Sequence, residues 1–225
     1  MTTALPECIE RPTGPNPTWS ILFLHGLGDS GHGFAGIEHS LVGRGWPAVR
    51  FVYPHAPERA ITLNAGMRMR GWYDIVSLDR LGFEDEPGIR ASIGLVEGLV
   101  AREETRGIPA SRIIVAGFSQ GGAIALAAGL RRERALAGIV ALSTYLPLPV
   151  ATTTEMTAAA RATPVFMAHG AFDPVIPEAF GRASHERLVA LGLKTEWHSY
   201  PMAHQVCDAE IAALAAWLGA RVTAA

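Results

Sequence analysis

Residues 113–129 read IIVAGFSQGGAIALAAG: an apolar, β-branched run passes into an alanine-rich one, with a single serine between glycines at the joint. The first run suits a strand covered on both faces, and the second a buried helix. The joint, Gly117 to Gly121, has the form GxSxG. Between a strand and a helix this form makes a sharp turn that lifts the serine Oγ above the sheet end. A Cβ at either glycine would meet neighbouring backbone, and the helix start brings unpaired N–H groups and the positive end of its dipole beside the serine. Taken alone, the same five residues also fit a glycine-rich turn in which Ser119 merely caps the helix. The rest of the chain has to decide between the two.

Working outward, short apolar runs alternate with longer runs of helical period, punctuated by Gly and Pro. The pattern predicts strands over 20–24, 48–53, 113–116, 138–142, 165–168 and 194–200. Helices fit 33–42, 88–105, 120–131, 178–191 and 205–218. Four of the six strands are nearly continuous apolar runs, as parallel strands between two helical layers require. The expectation is an α/β fold with an open, mostly parallel central sheet and helices on both faces. With 225 residues, 49% of them hydrophobic, the chain suffices for one sizeable core. It is read as a single domain over 1–225, in which 1–18 form an N-terminal extension and the Thr- and Ala-rich residues 151–163 a surface excursion.

Composition excludes several function classes. A formal net charge of −2 with scattered Lys and Arg offers no basic stripe, so nucleic acid is not an expected partner. Cys8 and Cys207 are far apart and form neither a disulfide framework nor a metal-binding spacing. The N-terminus has no basic region followed by an apolar run, and no uninterrupted apolar stretch reaches membrane-spanning length. A cytoplasmic location without stable membrane insertion is the expectation, as a monomer or homodimer.

A serine hydroxyl attacks poorly unless a histidine takes its proton and a carboxylate orients that histidine. After a GxSxG turn, the acid and then the histidine are expected behind later strands. Asp173 follows the strand in PVFMAHGAFDPVIP, and His204 follows the last strand in TEWHSYPMAHQVCDAEI, just before the last helix. Asp173 before Pro174 also fits a simple turn or cap, and a lone loop histidine is usually only solvated. The coincidence of all three in order and in the right elements favours the catalytic reading. A tetrahedral intermediate needs N–H donors from two directions, and Leu27, in ILFLHGLGDSGHGF, and Gln120 hold the two expected backbone positions. His25, His32 and His55 suggest a metal trio, but no further ligands stand at metal spacing, so neither a metal nor another cofactor is expected.

These segments resemble the small α/β-hydrolase esterases, a family that includes bacterial carboxylesterases and acyl-protein thioesterases. The matching stretches are LFLHGLGDSG from Leu22, YPHAP from Tyr53, GWYDI from Gly71, GFSQGG from Gly117, HGAFDPVIP from His169 and YPMAH from Tyr200. The resemblance implies Ser119 as nucleophile, His204 as base, Asp173 as orienting acid, and Leu27 with Gln120 as the oxyanion pair. It also implies that residues 63–75 contribute to an acyl pocket, with Leu63, Met67 and Trp72 as substrate-binding residues. Two departures stand out: Ala203 where the family usually carries glycine in the histidine loop, and GAF before Asp173 where it is typically polar.

The expected function is therefore hydrolysis of short- to medium-chain carboxylic esters through an acyl-enzyme. An acyl-protein or acyl thioesterase is the alternative, and a catalytically silent binding module on the same fold a third reading. The interval 143–164 leaves too little chain for a cap domain over the site.

Overall fold

The computed structural model describes residues 4–77 and 84–224; part of the long excursion over 54–87 thus lies outside the described residues. Among the described residues the central sheet has seven strands, in the order β1-β3-β2-β6-β7-β8-β9. They are β1 (Cys8–Pro12), β2 (Trp19–Leu24), β3 (Val49–Pro54), β6 (Ile113–Phe118), β7 (Gly138–Leu142), β8 (Val165–Gly170) and β9 (Thr195–Tyr200). All neighbours pair in parallel except β1, which runs antiparallel to β3. The expected strands are all present, within a few residues of their anticipated ends. The N-terminal segment is not a bare extension, because β1 pairs Cys8 with Pro54 and Pro12 with Arg50 and forms the sheet edge. Its sequence CIERP carries no buried-strand signal, and only the backbone of β3 makes it a strand.

Among the described residues there are six α-helices, α1 (Glu38–Leu41), α2 (Glu86–Thr105), α3 (Gln120–Gly129), α4 (Pro149–Glu155), α5 (Glu178–Ala190) and α6 (Asp208–Val222). Period-two alternation in the strands serves both faces of the sheet. Leu22, Leu24, Val115 and Met167 pack against α2, α3 and α5 through residues such as Ile93, Leu99, Ile124 and Leu188. Ile21, Phe23, Ile114 and Phe166 pack against α1 and α6 through Leu41, Leu214 and Trp217. Every residue of α3 is buried, which explains why its sequence is Ala- and Gly-rich rather than amphipathic.

Three expectations need correction. The helix anticipated over 33–42 shrinks to the four residues of α1; the glycine-rich chain before it makes successive turns, with Gly36 at φ +114°. The last helix starts at Asp208 rather than at 205. Residues 151–163 are not a surface excursion, for they include most of α4 and bury Thr152, Met156 and Ala160. In the long excursion the chain builds a two-stranded antiparallel hairpin of β4 (Glu58–Ile61) and β5 (Met67–Arg70), turned by Ala65 and Gly66 at positive φ.

Buried at the start of α6, the Glu210 carboxylate has no side-chain partner among the described residues, and only the Cys207 backbone N–H is near it. Loss of solvent pushes its carboxyl from the ordinary 4.5 up to about 7, and the nearby Cys207 backbone N–H offsets only part of this. The native state thus holds a proton that the unfolded chain gives up above its own, lower pKa. This contribution to stability is complete below about pH 4.5 and is lost as the pH rises through 7. Glu210→Gln is expected to match the wild type in unfolding free energy near pH 4 to 5. It should exceed the wild type by about 3 kcal/mol near pH 8. Parallel stability profiles in chemical denaturation across this range would refute the assignment.

Candidate active site

Four loops at the carboxyl ends of parallel strands converge on one point, the edge where open sheets of this kind build their sites. Ser119 stands between β6 and α3 with φ 54° and ψ −122°, a left-handed φ that a serine adopts only under constraint. Its N–H donates to the Leu142 carbonyl at 2.8 Å, and its carbonyl accepts from Thr144 Oγ1 at 2.7 Å and from the Ala123 N–H at 3.1 Å. A Cβ on Gly117 would lie 2.3 Å from the Gly121 carbonyl carbon, and one on Gly121 would lie 2.3 Å from the Leu24 carbonyl oxygen. Both flanking glycines are therefore required by backbone contact, as the GxSxG reading anticipated.

His204 stands between the other two polar groups. Its Nε2 lies 2.9 Å from Ser119 Oγ and its Nδ1 2.6 Å from Asp173 Oδ2. The Asp173 side chain is fully buried, and its Oδ1 accepts the N–H groups of Val175 and Ile176 at 2.8 and 2.9 Å. Behind it, His169 Nε2 lies 2.8 Å from the Ile176 carbonyl and 3.5 Å from Asp173 Oδ2. Burial lowers the pKa of His169, which favours a neutral ring that can donate there without adding charge. Gly181 on α5 makes room for this ring, since a Cβ there would come within 2.4 Å of His169 Nδ1. The His169 arrangement was not read from sequence; the only available signal was its place four residues before Asp173.

Leu27 and Gln120 border the same space. Gly28 and Asp29 donate their N–H groups to the carbonyls of Arg70 and Gly26, whereas among the described residues the Leu27 N–H has no acceptor within the protein. The first-turn N–H of Gln120 has no intrahelical acceptor either. The Gln120 side chain is committed elsewhere, its Oε1 accepting from the Trp72 N–H and its Nε2 donating to the Tyr73 carbonyl, each at 2.7 Å. This clamps the segment at 72–73 against the start of α3.

The three predicted pocket residues separate. Leu63 lines a cavity of about 700 Å³ beside Ser119, together with Ile75, Tyr145, Val175 and Ile176. Trp72 does not: it is fully buried below the site, with its indole N–H on the His25 carbonyl at 2.9 Å. Met67 is 64% exposed on the hairpin and outside the cavity wall. Residue type pointed to an acyl wall; packing turned one side chain into the core and the other to the surface. Sequence reasoning missed Tyr145 and Val175, which reach the cavity from loops remote in the chain.

Of the three early histidines, His25 and His55 have backbone roles, and the His32 ring stands 5.5 Å from that of His55. His25 has Nδ1 2.7 Å from the Gly26 carbonyl and accepts the Ala56 N–H on Nε2, and burial lowers its pKa. His55 Nδ1 accepts the Gly31 N–H. Ala203 is not in the left-handed region, so alanine in place of the family's glycine introduces no strain. The second departure leaves Phe172 71% exposed.

A family model described as Phospholipase/Carboxylesterase matches residues 7–221. Acyl-protein thioesterase 1 of Mycosarcoma maydis is 42% identical over 225 residues, covering 93% of this chain and 94% of that protein. The crystal structure of Arabidopsis thaliana SOBER1 superposes with a TM-score of 0.86 at 28% identity, over 91% of this chain and 99% of that one. Zea mays acyl-protein thioesterase 2 superposes with a TM-score of 0.85 at 26% identity, over 96% and 99%. The mostly parallel sheet and the absence of a cap domain among the described residues agree with an α/β-hydrolase fold.

Proposed function

The chain belongs to the phospholipase/carboxylesterase family of hydrolases, and from that premise we propose that it cleaves carboxylic esters and thioesters through an acyl-enzyme on Ser119. The observation that carries this reading is His204 bridging Ser119 Oγ and Asp173 Oδ2 at 2.9 and 2.6 Å. His204 Nε2 takes the hydroxyl proton as Oγ attacks the acyl carbon. Asp173 holds Nδ1–H and stabilises the imidazolium. The N–H groups of Leu27 and Gln120 receive the oxyanion. His204 then protonates the departing alcohol or thiol, and the acyl group stays on Ser119. A water deprotonated by His204 releases the acid and restores the serine.

Short- and medium-chain esters suit the cavity beside Ser119, whose wall residues Leu63 and Val175 are also exposed, leaving its mouth open at the surface. The thioesterase reading has a specific support of its own, because relatives about 40% identical over most of the chain are named acyl-protein thioesterase 1. An open mouth also suits an acyl group carried by a protein. We further propose that the whole chain works as one domain and needs no cofactor for these steps. No helix among the described residues is long and apolar enough to cross a membrane.

A fluorophosphonate is expected to label the wild type at Ser119 and to leave Ser119→Ala unlabelled. In a panel of p-nitrophenyl esters, acyl thioesters and an S-acylated peptide, the thioesters are expected to be turned over at least as efficiently as the oxygen esters. A folded wild type that takes no label and cleaves none of the panel would leave only the silent binding module.

A further inference from the structure

A second cavity, of about 680 Å³, lies between α4 and α5 and is walled by Leu146, Leu148, Val150 and Phe180. Among the described residues, Tyr145 is the one side chain common to its wall and to that of the cavity beside Ser119. Tyr145 sits on the loop from β7 to α4, between Ser143 and Leu148, two non-glycine residues with φ of 47° and 48°. Three ties hold this loop. Thr144 Oγ1 donates to the Ser119 carbonyl at 2.7 Å, the Leu146 N–H donates to Ser184 Oγ at 2.8 Å, and the Leu148 N–H donates to Glu84 Oε2 at 2.9 Å. A left-handed backbone at two side-chain-bearing residues persists only where such ties over-determine it. The ring is also latched at its tip, where the Tyr145 and Tyr73 hydroxyls are 3.0 Å apart. Tyr73 is in turn fixed through its carbonyl by the Gln120 side chain, in the first turn after Ser119.

We propose that Tyr145, latched by Tyr73, is the partition that ends the acyl-binding cavity and sets the longest acyl chain the enzyme accepts. The inference rests on the reading above, in which the cavity beside Ser119 receives the acyl group. Burial raises the Tyr145 hydroxyl to about 12 and that of Tyr73 well above its ordinary value, so both stay neutral and the latch persists across the working pH range. A chain that reaches the ring stops there. With the ring removed, its end enters the second, largely apolar cavity, and each further methylene taken from water is worth about three- to fourfold in kcat/KM.

The test measures kcat/KM over a series of soluble acyl thioesters from butanoyl to hexadecanoyl, below aggregation, for the wild type, Tyr145→Ala, Tyr145→Phe and Tyr73→Phe. The wild type should fall away at the long end. Tyr145→Ala is expected to raise the ratio of long- to short-chain kcat/KM by at least tenfold. Either Phe variant keeps both rings but loses the latch, and should raise that ratio by a smaller factor. An unchanged ratio in folded Tyr145→Ala overturns the partition. Should that variant not fold, an unchanged ratio in both Phe variants overturns it instead. A wild type that cleaves no ester or thioester of any length removes the functional reading and the partition with it. Turnover with a fixed chain-length profile in every variant removes the partition alone.

Discussion

Ser119→Ala is expected to lower ester and thioester hydrolysis by about 10⁴- to 10⁶-fold and leave the fold intact. The size of the loss follows from the proposed mechanism, in which without Oγ there is no acyl-enzyme and only binding and the oxyanion donors remain. The fold survives because Oγ supports no packing. Its bond in the protein is to His204, while the turn is held by the backbone N–H on Leu142 and the backbone carbonyl under Thr144. Alanine retains the Cβ, so the left-handed φ of 54° is no harder to adopt than for serine. Steady-state rates on a preparation free of wild-type enzyme, beside thermal unfolding, check both halves. Residual activity above about a tenth would move the nucleophile elsewhere.

Asp173→Asn is expected to cost about 10³- to 10⁴-fold in kcat. Every lone pair that the carboxylate uses faces a donor: Val175 and Ile176 N–H at Oδ1, His204 Nδ1 at Oδ2, with His169 Nε2 at 3.5 Å. An amide has one oxygen and one NH₂ for these two sites. If the oxygen keeps the two backbone N–H groups, the NH₂ faces His204 Nδ1 and forces the proton onto Nε2, the nitrogen that must accept from Ser119. If the amide flips, two backbone donors meet an NH₂ and the loop carrying Asp173 loosens. Either orientation damages the pair. The measurement is kcat for Asp173→Asn beside Asp173→Ala, with folding verified; loss of less than about tenfold would show that His204 is oriented by another group.

The β6 strand, its turn and α3 were legible because each depends on residues adjacent in the chain. A β-branched run, two glycines that cannot carry Cβ atoms and an alanine-rich helix specify one another locally. Ser119 and Asp173 were legible for a related reason, since each follows an apolar run recognisable as a buried parallel strand, whereas His204 follows the half-polar β9 and was legible from its place between the last strand and the last helix. Strand β1 was not, because CIERP is half-polar and becomes a strand only against β3. The β4–β5 hairpin carried a weaker sign, the Asn64–Ala65–Gly66 turn, whose last two residues have positive φ. Trp72 and Met67 show the opposite limit, in which residue types that suit an acyl wall go to the core and to the surface.

By itself the sequence determined where the chain alternates between strand and helix, where glycine is compulsory, and which hydroxyl, imidazole and carboxylate stand behind parallel strands. Propensity, periodicity and Cβ sterics act over a few neighbouring residues, and the amino-acid order states them directly. Tertiary structure alone decided that side chains 85 and 31 residues apart would meet at 2.9 and 2.6 Å. It alone decided that Tyr145 would line two cavities and that His169 would sit behind Asp173. Those placements depend on sheet register, helix packing and the ties of separate loops, and such forces couple residues by proximity in space rather than by position along the chain.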